Sequence, residues 1–562
     1  MTPASDTVPT MPLTSGPDAA LMFPTLSPAQ LARVASRGVT RSTTPGEVLV
    51  EPGDTDVPFF VLIEGRLEVT RPSDEGDLLI AAHRPGQFTG EASMLLGRPA
   101  LMCVRAGESS EVVQLTRDQM HALVQTDTDV GTLLMNVLIR RRLALVDQGL
   151  GDVLLVGSLH SADTLRIRAF LTRNGHPFKY VDIDDTPDVR TLLAGFGVVP
   201  GDIPIVICRN DVVLKNPDNR LIAAHLRFNE RIDLRRIRDV VIIGAGPAGL
   251  AAALYAASEG LDALVVEADA PGGQAASSSR IENFLGFPAG LTGQELADRA
   301  YAQVQKFGAS VLIANGAAAL DGERTPYGVR LDEGIALPAR TVVVATGARY
   351  RRPYLPALAR FENAGVYYNA TFTEAAQVSD ADEVVVVGGA NSAGQAAVFL
   401  AQKAKRVHML IRAGSRPARM SQYLLRRIEN EERIQVRMHT ELVALGGHDQ
   451  LEWVDWNDGA GIVTRHEIKH VFLMTGADPN TGWLGDRVAL CPKGFVKTGP
   501  DLTQDELAAA RWPLDRMPYL LETSLPGVFA VGDVRYGNIR RVASAVGEGS
   551  IVMSFVNRVL AR

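Results

Sequence analysis

The sequence predicts a multidomain α/β protein, in which a β-rich unit precedes a longer run of alternating strands and helices. The chain has 562 residues, enough for about three to five ordinary domains. Residues 26–148 are rich in predicted strands with regular glycine turns, whereas residues 152–230 alternate strand and helix. From Asp239 onward, a long α/β region uses one glycine-rich device twice, VVIIGAGPAG at 240–249 and VVVVGGANSAG at 384–394. This duplication predicts two related nucleotide-binding domains.

Composition and charge exclude several classes of protein. The hydrophobic content of 46% and charged content of 22% are typical of a globular protein. A net charge of −7 spread along the chain gives no reason to expect nucleic-acid or membrane binding. No apolar run approaches the roughly 18 residues of a membrane helix. The first 25 residues lack the segments of a signal peptide and are rich in Pro, Ser and Thr, so we expect them to be disordered.

The cysteines argue against a disulfide framework. The chain has three, Cys103, Cys208 and Cys491, and no two are near each other in sequence. We therefore predict neither a disulfide framework nor a zinc or other metal site. A reducing cytoplasm is the simplest compartment for such a chain.

The first glycine-rich motif has the context of a dinucleotide-binding turn. Residues 240–243 form an apolar, β-branched run that predicts a buried parallel strand. Three glycines follow it: Gly244, Gly246 and Gly249. In such a motif the first glycine permits the tight turn, the second lets the backbone approach a pyrophosphate, and the third packs helix on strand. A predicted helix from Pro247 directs its N-terminal N–H groups at that pyrophosphate, and the next strand ends in Glu267, which can hold ribose hydroxyls.

The second motif predicts a different nucleotide. Gly388 takes the tight turn, Ala390 stands at the second glycine position, and Ala393 or Gly394 allows close packing. The following strand ends in an arginine, and two more arginines come soon after it: Arg412, Arg416 and Arg419. Cations at this place suit the 2′-phosphate of NADP(H) better than the diol of NAD(H). The alternative is that these arginines form a solvated face.

Further motifs fall in the order found in one enzyme family. They are PGGQ (271–274), IENFLGFP (281–288), VVVATGA (342–348), MTGADPNT (474–481), VFAVGDVR (528–535) and RRVASAVGEG (540–549). With GAGPAG, they resemble the bacterial thioredoxin reductases, which are class II pyridine nucleotide-disulfide oxidoreductases that use FAD and NADPH. The resemblance covers about residues 239–562. It implies an FAD-binding domain at 239–355 and 485–562, an NADP-binding domain inserted at 356–484, and, by analogy with the family, a homodimer.

The resemblance also assigns site residues. On the FAD side it implies contacts from the glycine turn, the ribose acid, the segment beside the flavin, the GD motif and the start of the last helix: Gly244, Ala245, Gly246, Ala248, Gly249, Glu267, Gly273, Gln274, Asn283, Gly532, Asp533, Arg541, Val542 and Ala543. On the NADP side it implies a phosphate cradle and a 2′-phosphate contact: Gly388, Ala390, Asn391, Ser392, Ala393, Arg412 and Arg416.

The departure from the family lies in residues 368–374, YNATFTE. A YCATCDG-like stretch in the family places two cysteines beside the flavin, and here those positions are Asn369 and Phe372. Neither side chain can form a thiolate or pass electrons through sulfur. The binding sites for flavin and pyridine nucleotide remain as the family has them.

Residues 152–230 resemble a glutaredoxin or thioredoxin-like domain that has also lost its dithiol. The CxxC that opens the first helix of that fold would fall at 161–164, which read SADT. Ser161 is a reasonable helix N-cap, and Ile203-Pro204 stands where the fold places a cis proline. Cys208 is expected to be a buried core thiol rather than a nucleophile. The domain is therefore expected to act as a docking or scaffold unit.

Residues 26–148 resemble a cyclic-nucleotide-binding domain. Three glycines match the turns of its β-roll, and a Thr-Gly-Glu triplet matches the start of its phosphate cassette: Gly46, Gly53, Gly65, Thr89, Gly90 and Glu91. The arginine that pairs with the phosphate in that family is replaced by Ala100, and Arg98 is two residues early. Losing such a contact costs roughly 1.5–3 kcal/mol. Cyclic-nucleotide binding is therefore expected to be weak or absent.

Three functions remain open at this point. The first is an NADPH-dependent FAD oxidoreductase that passes hydride from NADPH to flavin N5 and then electrons directly to an unidentified acceptor. The second is reduction of ferredoxin or flavodoxin, which related reductases perform without a dithiol. The third is a redox- or ligand-sensing regulatory flavoprotein, because each unit keeps its fold and lacks expected reactive groups.

Overall fold

The computed structural model of the protein has four units, and the fourth is inserted in sequence between the two stretches of the third. The structure describes residues 13–15, 19–71, 77–90, 99–147, 153–159, 161–184, 202–208, 212–229, 232–278, 280–362, 364–368, 370, 372–412, 420–448 and 450–561. Within those ranges, no helix combines the length and the apolar character needed to cross a membrane.

The N-terminal unit is a roll of two antiparallel four-stranded sheets, with strand orders β1-β8-β3-β6 and β2-β7-β4-β5. Its strands are β1 (Val39–Thr43), β2 (Val48–Val50), β3 (Phe59–Glu64), β4 (Leu67–Arg71), β5 (Leu78–His83), β6 (Phe88–Thr89), β7 (Cys103–Ala106) and β8 (Ser110–Leu115). Alternate side chains of β3 face opposite ways, as strand geometry requires. Phe60 and Leu62 fill the interior of the roll, whereas Phe59 and Val61 pack under the helices.

The described part of this unit also contains the α-helices α1 (Ala19–Met22), α2 (Pro28–Ala35), α3 (Arg117–Thr126) and α4 (Thr128–Asp147). The expectation that residues 1–25 are disordered is wrong for residues 13–15 and 19–25, because Leu13–Ser15 forms a 3₁₀ helix and Leu13 is buried with Met22 and Phe23. Phe23 is buried, lies 5.6 Å from the ring of His83, and supports the guanidinium of Arg141 at 4.5 Å from its ring centroid. Arg141 also donates to the Met22 carbonyl. These tertiary contacts order a segment whose composition favours no local structure.

The second unit is a four-stranded sheet in the order β10-β9-β11-β12. Its elements are β9 (Val153–Gly157), α5 (Ala162–Arg173), β10 (Phe178–Asp182), β11 (Ile205–Cys208), β12 (Val212–Lys215) and α6 (Asn219–His225). Strand β10 is parallel to β9, and β11 is antiparallel to both β9 and β12. The Ile203–Pro204 peptide is cis and Cys208 is buried, both as predicted.

The third unit is a seven-stranded sheet built from two stretches of the chain. Strands β15-β14-β13-β18-β17-β16 follow one another, and β29 pairs with β18. The strands are β13 (Arg238–Ile243), β14 (Ala263–Glu267), β15 (Ser310–Ile313), β16 (Ala317–Asp321), β17 (Tyr327–Leu331), β18 (Ala336–Val344) and β29 (Val528–Ala530). Its helices are α7 (Pro247–Ser258), α8 (Gly293–Lys306), α13 (Gln504–Ala509) and α14 (Val542–Leu560). Because β29 is parallel to β18, the C-terminal stretch completes the sheet that the earlier stretch begins.

The fourth unit is inserted between these stretches and has a parallel five-stranded sheet in the order β20-β27-β21-β22-β23. Its strands are β20 (Val366–Tyr367), β21 (Glu383–Val387), β22 (Arg406–Ile411), β23 (Ile434–Met438) and β27 (His470–Leu473). Its helices are α9 (Leu358–Phe361), α10 (Phe372–Ala375), α11 (Asn391–Leu400) and α12 (Gln422–Glu429). A three-stranded sheet is formed by β24 (Glu441–Gly446), β25 (Trp453–Asn457) and β26 (Val463–His466). Strands β19 (Ala348–Tyr350) and β28 (Ala477–Pro479) pair where the chain enters and leaves the insertion.

Candidate flavin and nucleotide sites

The turn between β13 and α7 has a geometry that only glycine can supply at two positions. Gly244 has φ +105°, and a Cβ there would lie 2.4 Å from the carbonyl oxygen of Ala345. A Cβ on Gly249 would lie 1.8 Å from the carbonyl oxygen of Gly244. The predicted tight turn and close helix packing are therefore both present.

No side chain covers the N-terminus of α7 within the described residues. Gly246 is the N-cap and makes no side-chain cap, and Pro247 occupies the first helical position. A Cβ built on Gly246 would meet nothing nearer than the Cα of Gly273, at 3.9 Å. The first N–H groups of this twelve-residue helix can thus receive an anion. This open cradle fits the pyrophosphate of a dinucleotide.

Glu267 ends β14 next to that turn, as predicted. Its Oε2 accepts the Ala245 N–H at 2.7 Å and its Oε1 accepts the Asp269 N–H at 2.9 Å. The side chain keeps some access to solvent, so a ribose can reach it. Desolvation of the carboxylate raises the pKa of Glu267, although its two backbone N–H bonds oppose the rise.

The GD motif lies on the other side of the turn and is held by a residue that sequence reasoning missed. Glu548, on α14, accepts the Gly532 N–H at 2.7 Å through Oε2. Its Oε1 accepts from Nη2 and Nε of Arg535 at 2.6 and 3.1 Å. Burial raises the pKa of Asp533, and the charge of Glu548 acts in the same direction. Glu548 lies inside the RRVASAVGEG motif, but no local pattern in the sequence pairs it with Gly532, which precedes it by 16 residues.

The predicted flavin segment forms a 3₁₀ helix, Gly273–Ser277, that packs against α8. The side-chain amide of Gln274 donates to the carbonyl oxygen of Ala348. Helix α14 begins at Val542 with Arg541 as its N-cap, where the sequence placed it, and Arg541 makes no side-chain cap. Asn283 is exposed in the loop that follows the 3₁₀ helix.

The segment that carries the dithiol in the related reductases leads into helix α10. Asn369 and the side chain of Phe372 lie outside the described residues. Burial raises the pKa of Tyr350, and the charges of Asp533 and Glu374 act in the same direction, while a hydrogen bond with Ser277 opposes them. Glu374 of α10 is therefore within electrostatic reach of residues that flank the predicted flavin position.

The second phosphate turn is built like the first but differs at its helix start. Gly388 has φ +143°, and a Cβ there would lie 2.5 Å from the Met474 carbonyl oxygen. Ala390 is the N-cap of α11 and offers no side-chain cap. The Oδ1 of Asn391 accepts the Ser421 N–H at 2.8 Å, which turns this side chain toward the start of α12. Ser392 is exposed and Ala393 is fully buried against the strands.

The cation that was predicted to read the nucleotide follows β22. The side chain of Arg412 is 83% exposed, and its Nη1 lies 3.7 Å from Oε1 of Glu441. Such an exposed pair holds the guanidinium only weakly, so an incoming phosphate can compete for it. Arg416 and Arg419 lie outside the described residues.

The pattern that defines the pyridine nucleotide-disulphide oxidoreductases matches residues 238–549. The chain belongs to this family. It is 31% identical to the thioredoxin reductase of Chlamydia trachomatis over 327 residues, covering 57% of this chain and 98% of that protein. It is 30% identical to the thioredoxin reductase of Bacillus subtilis over 328 residues, covering 57% and 94%. The crystal structure of Lactococcus lactis thioredoxin reductase in its FR conformation covers 58% of this chain and 99% of that one, with 25% identity and a TM-score of 0.51.

These findings confirm the predicted class and cofactors. The chain is a flavoprotein oxidoreductase of the thioredoxin reductase type, and FAD and NADPH are its cofactors. The open cradle at Gly246 and the accessible Glu267 would hold the FAD adenosine diphosphate, and the Gly388 turn would hold the NADPH phosphates.

A second pattern, that of the cyclic nucleotide-binding domain, matches residues 40–127. Glu91 and Arg98 of the predicted phosphate cassette lie outside the described residues. Ala100, at the position of the family arginine, is 4% exposed among the apolar side chains of the roll. Its backbone donates to the carbonyl of Asp54 and accepts from Gly53. A buried methyl group thus stands at the position predicted to correspond to the family's phosphate-binding arginine.

The helix start of the second unit is structural in character. Ser161 is the N-cap of α5, and its Oγ accepts the Thr164 N–H at 3.4 Å. Thr164 is fully buried. Ser161 and Thr164, which the sequence predicts to stand at the two dithiol positions, thus cap and pack the helix.

Proposed function

We propose that this protein oxidises NADPH and passes electrons from its FAD directly to an acceptor outside the chain, without an internal redox disulfide. When bound, FAD supplies the redox chemistry by accepting a hydride from NADPH and releasing two electrons to that acceptor. The acceptor is proposed by class only, as a small molecule or protein that can approach an uncovered flavin.

One combination of observations carries this proposal. Both phosphate-binding turns keep their glycine geometry at Gly244 and Gly388, while the chain has no cysteine at position 369 or 372. Its three cysteines belong to three different units: Cys103 to the N-terminal roll, Cys208 to the second unit and Cys491 to the third. A dithiol relay needs two sulfurs close together beside the flavin, and the sequence offers no such pair there.

The chain's own residues have defined tasks under this proposal. The N-terminus of α7 holds the pyrophosphate, and Glu267 orients the ribose. The N-terminus of α14, which begins at Val542 and has no side-chain cap, stabilises negative charge on the flavin ring through the positive end of the helix dipole. The exposed guanidinium of Arg412 selects the 2′-phosphate of NADPH.

Steady-state kinetics test the proposal. The purified protein is expected to be yellow, and NADPH should bleach the flavin faster than NADH does. NADPH oxidation should then be measured against disulfides, ferredoxin, flavodoxin, quinones and oxygen. Turnover with an acceptor that is not a disulfide supports the proposal, whereas efficient turnover only with a disulfide substrate such as thioredoxin contradicts it.

A regulatory role is the second candidate, and one packing feature favours it. Helices α3 and α4 of the N-terminal roll pack against α8, and α8 packs on the 3₁₀ helix Gly273–Ser277 beside the predicted flavin position. A conformational change in the roll can therefore reach the predicted flavin position through α8 alone. Bleaching by NADPH without turnover on any acceptor of the panel would favour this second function over the first.

A further inference from the structure

The second unit, which lacks its dithiol, makes direct polar contacts with the FAD-binding loop. That loop runs from Glu267 to Gly273 and joins the ribose acid to the flavin segment. Arg173, the last residue of α5, donates from Nη1 to Oδ2 of Asp269 at 2.5 Å. Its Nη2 lies 3.3 Å from the carbonyl oxygen of Ala270 and 3.5 Å from that of Gly273. One guanidinium thus spans most of the loop.

A second residue of the same unit completes the grip on Asp269. Asn219, the first residue of α6, donates from Nδ2 to Oδ1 at 2.9 Å. Both carboxylate oxygens of Asp269 are therefore held by side chains of the second unit. The Asp269 N–H in turn binds Oε1 of Glu267 at 2.9 Å. The second unit is connected to the ribose acid through a single intervening residue.

The two units also share apolar packing, which makes this contact part of a continuous interior. Side chains from α5 and from strands β14 and β15 belong to one buried cluster: Ile167, Phe170, Leu171, Val265, Val311 and Ile313. Asn229 adds two hydrogen bonds to the backbone of Ile313, as donor at 2.8 Å and as acceptor at 2.9 Å. Ile313 pairs with Glu267 in the sheet. The second unit therefore supports the strand and the loop that present the ribose acid.

We propose that the second unit serves as a permanent part of the FAD site, with Arg173 as a positioning residue that holds the Glu267–Gly273 loop through Asp269. The unit has kept this role although its own dithiol is absent. The inference rests on the proposed function only in requiring that FAD binds at the first glycine turn, and it does not depend on the acceptor.

The test compares two arginines that each bridge the second and third units. Arg173→Ala removes the hydrogen bonds to the Glu267–Gly273 loop. Arg220→Ala removes an exposed ion pair with Glu333, in which the nitrogen and oxygen are 3.1 Å apart and which lies in the turn between β17 and β18. The dissociation constant of FAD is measured by fluorescence titration of each apo-protein, with apo-protein melting and the visible circular dichroism of bound flavin recorded in parallel. Charge-assisted hydrogen bonds of this kind predict a rise of about tenfold to a hundredfold for Arg173→Ala, and less than about twofold for Arg220→Ala.

Two further variants keep the test decisive. Arg173→Lys retains a cation for Asp269 but lacks the planar fork that reaches Ala270 and Gly273, so its dissociation constant should lie between those of the wild type and Arg173→Ala. Asp269→Asn removes the same charge pair from the loop side but keeps the Arg173 contacts with Ala270 and Gly273, so its dissociation constant should also lie between those of the wild type and Arg173→Ala. The flavin dichroism should change in these variants and stay unchanged in Arg220→Ala.

Each outcome decides the matter. Equal dissociation constants for Arg173→Ala and the wild type would overturn the inference while leaving the proposed function intact. An equal rise in Arg220→Ala, or apo-proteins of Arg173→Ala and Asp269→Asn that do not fold, would reduce the contact to general domain packing and overturn it too. A wild type that takes up no FAD would refute the proposed function itself.

Discussion

Replacing Glu548 by glutamine should weaken FAD binding, although Glu548 itself is not one of the residues that the cofactor is expected to contact. The carboxylate of Glu548 accepts three hydrogen bonds, one from the Gly532 N–H and two from the Arg535 guanidinium. Glutamine keeps one acceptor oxygen and turns an NH₂ group toward the other donor. Either the GD turn or Arg535 then faces a donor instead of an acceptor.

The size of the effect follows from these contacts. A charge-assisted hydrogen bond contributes about 1.5–3 kcal/mol, and both Arg535 and Glu548 have side chains less than one-fifth exposed. Glu548→Gln removes one hydrogen bond and the charge that strengthens the others. This change should destabilise the ordered conformation of the turn that contains Asp533 by about 2 kcal/mol. If the turn must be ordered to bind FAD, the dissociation constant rises about 30-fold.

The assay is fluorescence titration of apo-protein with FAD, with Glu506→Gln as the matched control. Glu506 also accepts charged bonds, from Lys497 Nζ at 2.7 and 2.8 Å; it lies in the same unit, and its carboxylate binds Lys497 and the Thr503 N–H instead of Gly532 or Arg535. The Glu506→Gln variant should keep the dissociation constant for FAD within about threefold of the wild-type value. The reasoning is refuted if Glu548→Gln binds FAD as tightly as wild type, or if both variants lose affinity equally.

Three other predictions address nucleotide choice, pH and the absent dithiol. Arg412→Ala should raise the KM for NADPH about tenfold or more and leave the KM for NADH unchanged. The control Arg406→Ala, at the opposite end of the same strand, should change neither KM. Equal effects of Arg412→Ala on both nucleotides would exclude a contact with the 2′-phosphate. Because the pKa of Glu267 is raised in the folded apo-protein, its ionisation lowers stability as pH rises from the unfolded value of about 4.3 through the folded pKa. Urea unfolding should therefore show wild-type apo-protein losing more stability than Glu267→Gln over that window, and parallel profiles would contradict this. The double variant Asn369→Cys, Phe372→Cys should not reduce thioredoxin efficiently, and efficient NADPH-dependent reduction would show that only the sulfurs were missing.

Local chemistry made much of the nucleotide-binding architecture predictable. The glycine turn, the helix start at Pro247, the strand ending in Glu267 and the helix beginning at Val542 all lie where the sequence placed them. Each depends on a few adjacent residues whose backbone preferences and caps act within one turn. The predicted cap at Ser161 is confirmed for the same reason.

Contacts between distant residues could not be read from the sequence. Glu548 reaches Gly532 and Arg535 only because α14 folds back over the GD turn, and Arg173 reaches Asp269 only because the second unit docks on the third. The same limit explains the incorrect expectation of disorder near Phe23. The composition around Phe23 favours no local structure, yet its ring packs against Arg141 and His83, which are distant in sequence.

The measurement that tests the central claim most directly is an anaerobic reductive titration of the purified holoprotein, followed by flavin absorbance. A flavin that works with a redox disulfide takes up about four electrons per FAD, whereas a flavin alone takes up about two. We predict about two electrons per FAD, with the absorbance falling in proportion to reductant from the first addition. An uptake of about four electrons would reveal a second redox centre in the chain and contradict direct electron transfer from the flavin.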